Sequence, residues 1–235
     1  TAAASLDDAF QMARDAARSG DSKRLEQIAP RFQGHLLEPY VQYWRLKAQL
    51  EPRAPEEIRP WLAANRDTPL ADYLRRDWLK LLGKSGQWEM FDAERPALVN
   101  DDLELTCYAL QARVRFDTLA LREARPLWFI ARDLPGSCEP LFQALIGAQL
   151  LSTDDIWTRI RLALEAGQVR LANHVATFLP KGQGPDARVL SSISGNPAAH
   201  LNSARADLKS RGGREATMFA VYRLARTSPQ QAAAH

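Results

Sequence analysis

The sequence predicts an all-α fold: an α-solenoid, a right-handed superhelix of stacked helix-turn-helix units with roughly a dozen helices. Three observations predict it. Leu70–Phe91 (LADYLRRDWLKLLGKSGQWEMF) and Asp154–Pro180 (DDIWTRIRLALEAGQVRLANHVATFLP) each read as a helix, a Gly-containing turn and the start of a second helix, with Trp in packing positions. Apolar residues recur at i, i+3 and i+4, while period-2 alternation is nearly absent. Pro39, Pro60, Pro69, Pro96, Pro126, Pro140 and Pro180 fall between helical stretches or at their starts. That punctuation gives helices of about ten to fifteen residues joined by short loops. Such units cannot bury their apolar faces alone, so they stack.

The elements follow from local signals. Leu70, Leu74, Trp78 and Leu81 form one stripe of a helix expected to end near Gly83. Over Asp102–Phe116 one face carries Leu105, Ala109, Ala112 and Phe116, and a second carries Leu103, Cys107, Leu110 and Val114. A helix apolar on two sides is covered on two sides, as in the middle of a stack or the centre of a bundle. Ser152 with Asp155 three residues on reads as a capping box, followed by Ile156, Ile160, Ala163 and Leu164 on the inner face. Gly167 supplies the left-handed stop, and the next helix presents Leu171, Val175 and Phe178 before Pro180. Composition loosens over 181–196 (KGQGPDARVLSSISGN), with a short helix expected at Ala187–Ile193 and a final one at Arg214–Arg226. We expect one helical domain over 1–235, truncated at its C-terminal end, where an apolar last helix calls for a further layer.

Composition bounds the function classes. With 46% hydrophobic residues the chain has ample core, and its aromatics and net charge of +3 exclude a disordered polymer. No run reaches the about 18 to 20 apolar residues of a membrane span. The opening TAAAS has neither an initiator Met nor an apolar signal core, which fits a mature chain after signal cleavage or a trimmed one. The pI near 9.0 rests on 25 Arg and 6 Lys that form no stripe or tail. Several fall at i,i+4 from an acid (Asp72 with Arg76, Asp155 with Arg159, Arg161 with Glu165), the pattern of a solvated face. No nucleic-acid partner is therefore expected, and a mildly cationic surface also suits carboxylate-rich polymers of the cell wall.

No catalytic constellation, cofactor motif or metal set emerges. The pairs Asp101–Asp102, Asp154–Asp155 and Glu56–Glu57 sit where helix N-termini favour acids. His35, His174, His200 and His235 are scattered, without HExxH or Cys–His spacing. GxSxG, Walker and dinucleotide signatures are absent, and Gly182–Gly184 follows no strand. Trp44, Trp61, Trp78, Trp88, Trp128 and Trp157 could stack on sugar rings, but their phase with Leu and Ile favours wedges between layers.

The runs LRRDWLKLLGKSGQWEMF (74–91), LTCYALQARV (105–114), SCEPLF (137–142) and IWTRIRLALEAGQVRLANHVATFLP (156–180) resemble the soluble lytic murein transglycosylases. The likeness is to the N-terminal superhelical domain of that family and runs from about Ala9 to about Ala225. It implies a periplasmic enzyme that cleaves the bond between N-acetylmuramic acid and N-acetylglucosamine in peptidoglycan, closing a 1,6-anhydro ring. In the family a C-terminal lysozyme-like domain does this with a Glu normally followed by Ser. Here no Glu precedes a Ser, and the lysozyme-like module is not in these residues. What carries over is a non-catalytic scaffold, with peptidoglycan strands and the enzyme's own catalytic domain as partners. The periplasmic setting implied by the resemblance also favours a structural disulfide between Cys107 and Cys138 over two buried thiols, closing a loop that stabilises by about 3 to 4 kcal/mol. The alternative is a tetratricopeptide-like adaptor for a protein partner, weakened by the lack of a steady 34-residue period.

Overall fold

The computed structural model describes residues 5–51, 55–203 and 206–235. The first four residues of the TAAAS opening lie outside them. Among the described residues there are fifteen α-helices, four short 3-10 helices and no strand. Three of the α-helices have four or five residues, five have seven to nine, and seven have ten to sixteen, so many are shorter than expected. The chain divides into two compact units, Thr1–Ala112 and Arg113–His235.

The first unit holds α1 (Leu6–Ser19), α2 (Ser22–Ile28), α3 (Glu38–Ala48), α4 (Pro55–Ala64), α5 (Pro69–Lys84), α6 (Trp88–Glu94) and most of α7 (Leu103–Val114). Ser5 and Asp8 close a capping box at the start of α1, and Gly20 ends it in the left-handed region. Ala9, Ala13 and Ala16 let α1 pack closely on Leu25, Ile28, Phe32 and Val41, a first core cluster. A second gathers Ile58 and Leu62 of α4, Leu74, Trp78 and Leu79 of α5, Phe91 of α6, and Leu105 and Tyr108 of α7. Proline begins α3 and α5, where its missing N–H costs nothing, but Pro60 sits inside α4, not between helices.

One local expectation is met here, the end of a helix near Gly83, and another is corrected. The fifth helix runs through Gly83 to Lys84, and the left-handed residue is Gly86 (φ 70°). Gly83 is there for closeness: a Cβ on it would lie 2.4 Å from Cγ of Tyr108. The seventh helix does bury residues on two sides (Leu105, Cys107, Ala109, Leu110 and Ala112), but it stops at Val114, and Phe116 is 82% exposed beneath the Arg115 guanidinium.

The second unit holds α8 (Arg125–Trp128), α9 (Glu139–Gly147), α10 (Thr153–Glu165), α11 (Val169–Ala176), α12 (Ala187–Gly195), α13 (Pro197–Leu201), α14 (Arg211–Ala225) and α15 (Pro229–Ala232). The Ser152–Asp155 capping box forms, and Gly167 turns the chain at φ 72° between α10 and α11. Ile156, Trp157, Ile160, Ala163 and Leu164 are all buried on α10, as are Leu171 and Val175 on α11. Burying large apolar side chains of this kind contributes about 1.5–3 kcal/mol each before the entropy of ordering the chain is subtracted. The short helix of the Gly/Pro-rich stretch is present and buries Leu190 and Ile193 completely.

Candidate functional site

The two aspartate pairs singled out in the sequence are engaged in the fold's own bonding. Asp102 accepts from the Leu105 backbone N–H (3.0 Å) and pairs with Lys80 (2.8 Å). Burial alone would raise its pKa; those two bonds outweigh burial and hold the carboxyl below its ordinary value. Asp101 takes Arg95 at 2.7 Å, and Asp154 takes Arg211 at 2.6 Å. Asp155 is held below the ordinary carboxyl value first by the Ser152 N–H, with the Ser152 hydroxyl and Arg125 adding to it. Glu56 and Glu57 occupy the first turn of α4, where the helix dipole favours them.

Longer-range partners take the hydrogen bonds of the expected i,i+4 pairs, although the charge of Glu165 still acts on Arg161. Asp72 is buried and accepts from the backbone N–H groups of Val99 (2.7 Å) and Asn100 (3.1 Å), while Arg76 lies over the Tyr73 ring. Arg159 is 3% exposed, its guanidinium 4.6 Å from the ring centres of both Trp128 and Phe142. Burial pulls its pKa below the ordinary value against the opposing charges of Glu139 and Asp133. The two rings return only part of what the guanidinium loses on leaving water, about 0.5–2 kcal/mol each, and its Nε stays without a hydrogen-bond partner. Arg161 reaches Glu215 with two bonds, 3.1 and 2.5 Å, and Arg211 sits over Trp157. Beside this group a cleft of about 120 Å³ is lined by Leu164, Met218, Phe219 and Tyr222. Met218 and Tyr222 are exposed there. Both oxygens of Glu215 are occupied by Arg161, so the group ties α10 to α14 rather than presenting an acid.

In the first unit, α1 and α3 bound a cleft of about 570 Å³ lined by Arg14, Arg18, Tyr43, Trp44 and Lys47. Gly20 lets the chain turn at its end. Helical spacing places Arg14 and Arg18 on one edge and Trp44 and Lys47 near the other. Tyr43 stacks on Trp61 (6.4 Å, 28°), and Trp44 leans on Phe10 (5.1 Å). Lys47 stands 5.8 Å from the Tyr43 ring centre and 2.9 Å from Asp77. Burial lowers the Lys47 pKa, but Asp77 and Tyr43 raise it further, for a net upward shift. The sequence reading missed this cleft; the i,i+4 pairing of Arg14 with Arg18 was the signal that could have pointed to it.

The remaining residues of interest fall as follows. Trp78, Trp128 and Trp157 are buried wedges, and the Trp128 indole N–H donates to the Asp155 carbonyl at 2.9 Å. Trp44, Trp61 and Trp88 are half-buried. His174 meets Glu139 at 3.2 Å, His200 meets Thr217 at 3.4 Å, and the Leu37 N–H donates to His35. Among the described residues no cluster of His, Cys, Asp or Glu could hold a metal ion, and no helix is long and apolar enough to cross a membrane. Cys107 and Cys138 are wholly buried and disulfide-bonded.

The described residues form an all-helical protein in which these polar groups mainly tie one helix to another. The comparisons with known proteins add the relatives. No family model matches the chain. It is 24% identical over 184 residues to the soluble lytic murein transglycosylase of Escherichia coli K12, which covers 77% of this chain and 28% of that protein. It is 23% identical over 184 residues to the Salmonella typhimurium protein of the same name. Among solved structures, it matches the 70 kDa soluble lytic transglycosylase of Escherichia coli at TM-score 0.67 and 23% identity, covering 98% of this chain and 38% of that one. It matches an inactive mutant of the lytic transglycosylase Slt of Pseudomonas aeruginosa at TM-score 0.65 and 26% identity, covering 96% of this chain and 37% of that one. The chain is thus homologous to the soluble lytic murein transglycosylases and shares their helical fold. It spans under a third of the length of the curated relatives it matches.

Proposed function

We propose that this chain is the non-catalytic helical scaffold of a periplasmic lytic transglycosylase acting on peptidoglycan. The cleavage, with formation of a 1,6-anhydromuramic acid end, belongs in this reading to a catalytic domain outside these 235 residues. The observation that carries the proposal is the joint match: 77% of the chain aligns with soluble lytic murein transglycosylases, and 98% of it follows the helical fold of a solved one. The bonding of the candidate acids supports the division of labour. General acid–base catalysis needs a carboxyl within reach of substrate and tuned toward the working pH. Asp102 and Asp155 are shifted the other way, below their ordinary values, by bonds that lock helix starts.

The scaffold's task in this reading is to brace the catalytic domain and orient the enzyme on the wall. Isolated murein sacculi incubated with the purified chain, followed by chromatography of the soluble fraction, test the division. The proposal expects no 1,6-anhydromuropeptides above a no-protein control. Their release by the chain alone would overturn it.

A further inference from the structure

We infer that the cleft between α1 and α3 is a binding subsite for a carboxylate-bearing sugar chain. The inference rests on the wall-scaffold reading and gives it a place on the molecule. Two kinds of group meet there. Tyr43 and Trp44 bring half-buried aromatic rings, the surface on which the apolar face of a sugar ring packs. Arg14, Arg18 and Lys47 bring three cations to the same cleft. Its volume of about 570 Å³ lies within the range of about 300–1,000 Å³ usual for ligand sites.

The fold satisfies Lys47 but leaves the two arginines open to a further partner. The Nε of Arg14 is shut off from solvent and has no hydrogen-bond partner, and the nearest carboxylate, Asp15, stays 3.8 Å away. The Arg14 side chain is nevertheless 41% exposed, so the rest of its guanidinium stays open to an incoming oxygen. Arg18, in the exposed last turn of α1, has no ion-pair partner among the described residues. The helix dipole explains a cation at that end, but not its neighbours across the cleft. Lys47 is steadied by Asp77 and Tyr43, which fixes its ammonium beside the rings.

The charge pattern chooses the occupant. Asp15 and Asp77 stand beside two of the three cations, so the local excess of positive charge is small. A nucleic acid, with a phosphate on every nucleotide, would meet those carboxylates and needs a denser basic surface. A sugar chain with carboxylates spaced by neutral rings places one anion against Arg14 and Arg18 and a ring against Trp44.

The test uses disaccharide-peptides released from murein by a muramidase, a neutral N-acetylglucosamine oligomer and a single-stranded oligonucleotide. Each is titrated into the 235-residue chain while the six Trp indole N–H resonances are followed by NMR, Trp44 being assigned with Trp44→Phe. The inference expects the disaccharide-peptide to shift the Trp44 signal and Arg18→Glu to weaken that binding about tenfold. The neutral oligomer should bind more weakly and be indifferent to Arg18→Glu. Arg14→Gln provides a second variant, with circular dichroism confirming that both fold. Shifts confined to other Trp residues, no shift at all, or unchanged affinity in both variants would overturn the inference. So would an oligonucleotide that binds at Trp44 as tightly as the disaccharide-peptide. Sedimentation with sacculi separates the two readings: a chain that pellets without using Trp44 sinks the subsite alone. Loss of pelleting with Trp44 binding retained sinks the wall role alone.

Discussion

Replacing Gly83 by Ala gives a sharp energetic test of how the first unit is packed. A Cβ at this position would lie 2.4, 2.7 and 2.8 Å from Cγ, Cδ2 and Cδ1 of Tyr108. Carbon pairs rest at about 3.5–4.0 Å, so the ring must retreat by about 1 Å. Little room is available, because Tyr108 is 9% exposed and its ring packs against Trp88 and Phe91, both with centroids at 6.5 Å. Overpacking of a filled core costs about 1–3 kcal/mol, and three ring atoms in conflict place this case near about 3. Better helix propensity returns about 1 kcal/mol. The net expectation is a loss of about 2 kcal/mol, read as a urea midpoint lowered by about 1 M for a slope near 2 kcal/mol/M. Gly147, the last residue of α9, has open space around its missing Cβ and no left-handed φ. There the same substitution should stabilise slightly, by up to about 1 kcal/mol. Equal or increased stability of Gly83→Ala would refute the close-packing argument.

Two further outcomes follow from the bonding. Reduction of Cys107 and Cys138, or their joint replacement by Ser, should cost about 3 to 4 kcal/mol for the loop between them, checked by denaturation with and without reductant. Asp155 has a lowered pKa in the fold, so its contribution is complete above the ordinary Asp value near about 3.9 and is lost as pH falls through the folded value. Asp155→Asn should therefore lower stability at neutral pH and flatten the acid limb of the stability profile. An unchanged limb would contradict the assigned cause.

Local signals in the sequence carried much of the fold. Helical period, the Ser152–Asp155 box and Gly167 each act within one or two turns, so they can be read without knowing neighbours. The helix end near Gly83 was legible, but its packing role was not, because a glycine closing an apolar stripe looks alike whether it ends a helix or admits a ring; the ring is Tyr108, twenty-five residues on. Phe116 kept the phase of α7 past the point where the helix stops. Arg159 read as a surface partner of Asp155, yet that carboxylate is spent on its own cap and on Arg125. The rings that receive Arg159 come from α8 and α9, and nothing local announces them. The cleft of α1 and α3 was hidden for the same reason: two ordinary amphipathic helices become a site only when packed.

The central claim, that this chain is a scaffold that engages the wall, is tested most directly by co-sedimentation with purified murein sacculi over a range of sacculus concentrations. The account predicts saturable recovery of the chain in the pellet, weakened by added disaccharide-peptides. A chain that stays in the supernatant at every concentration would contradict it.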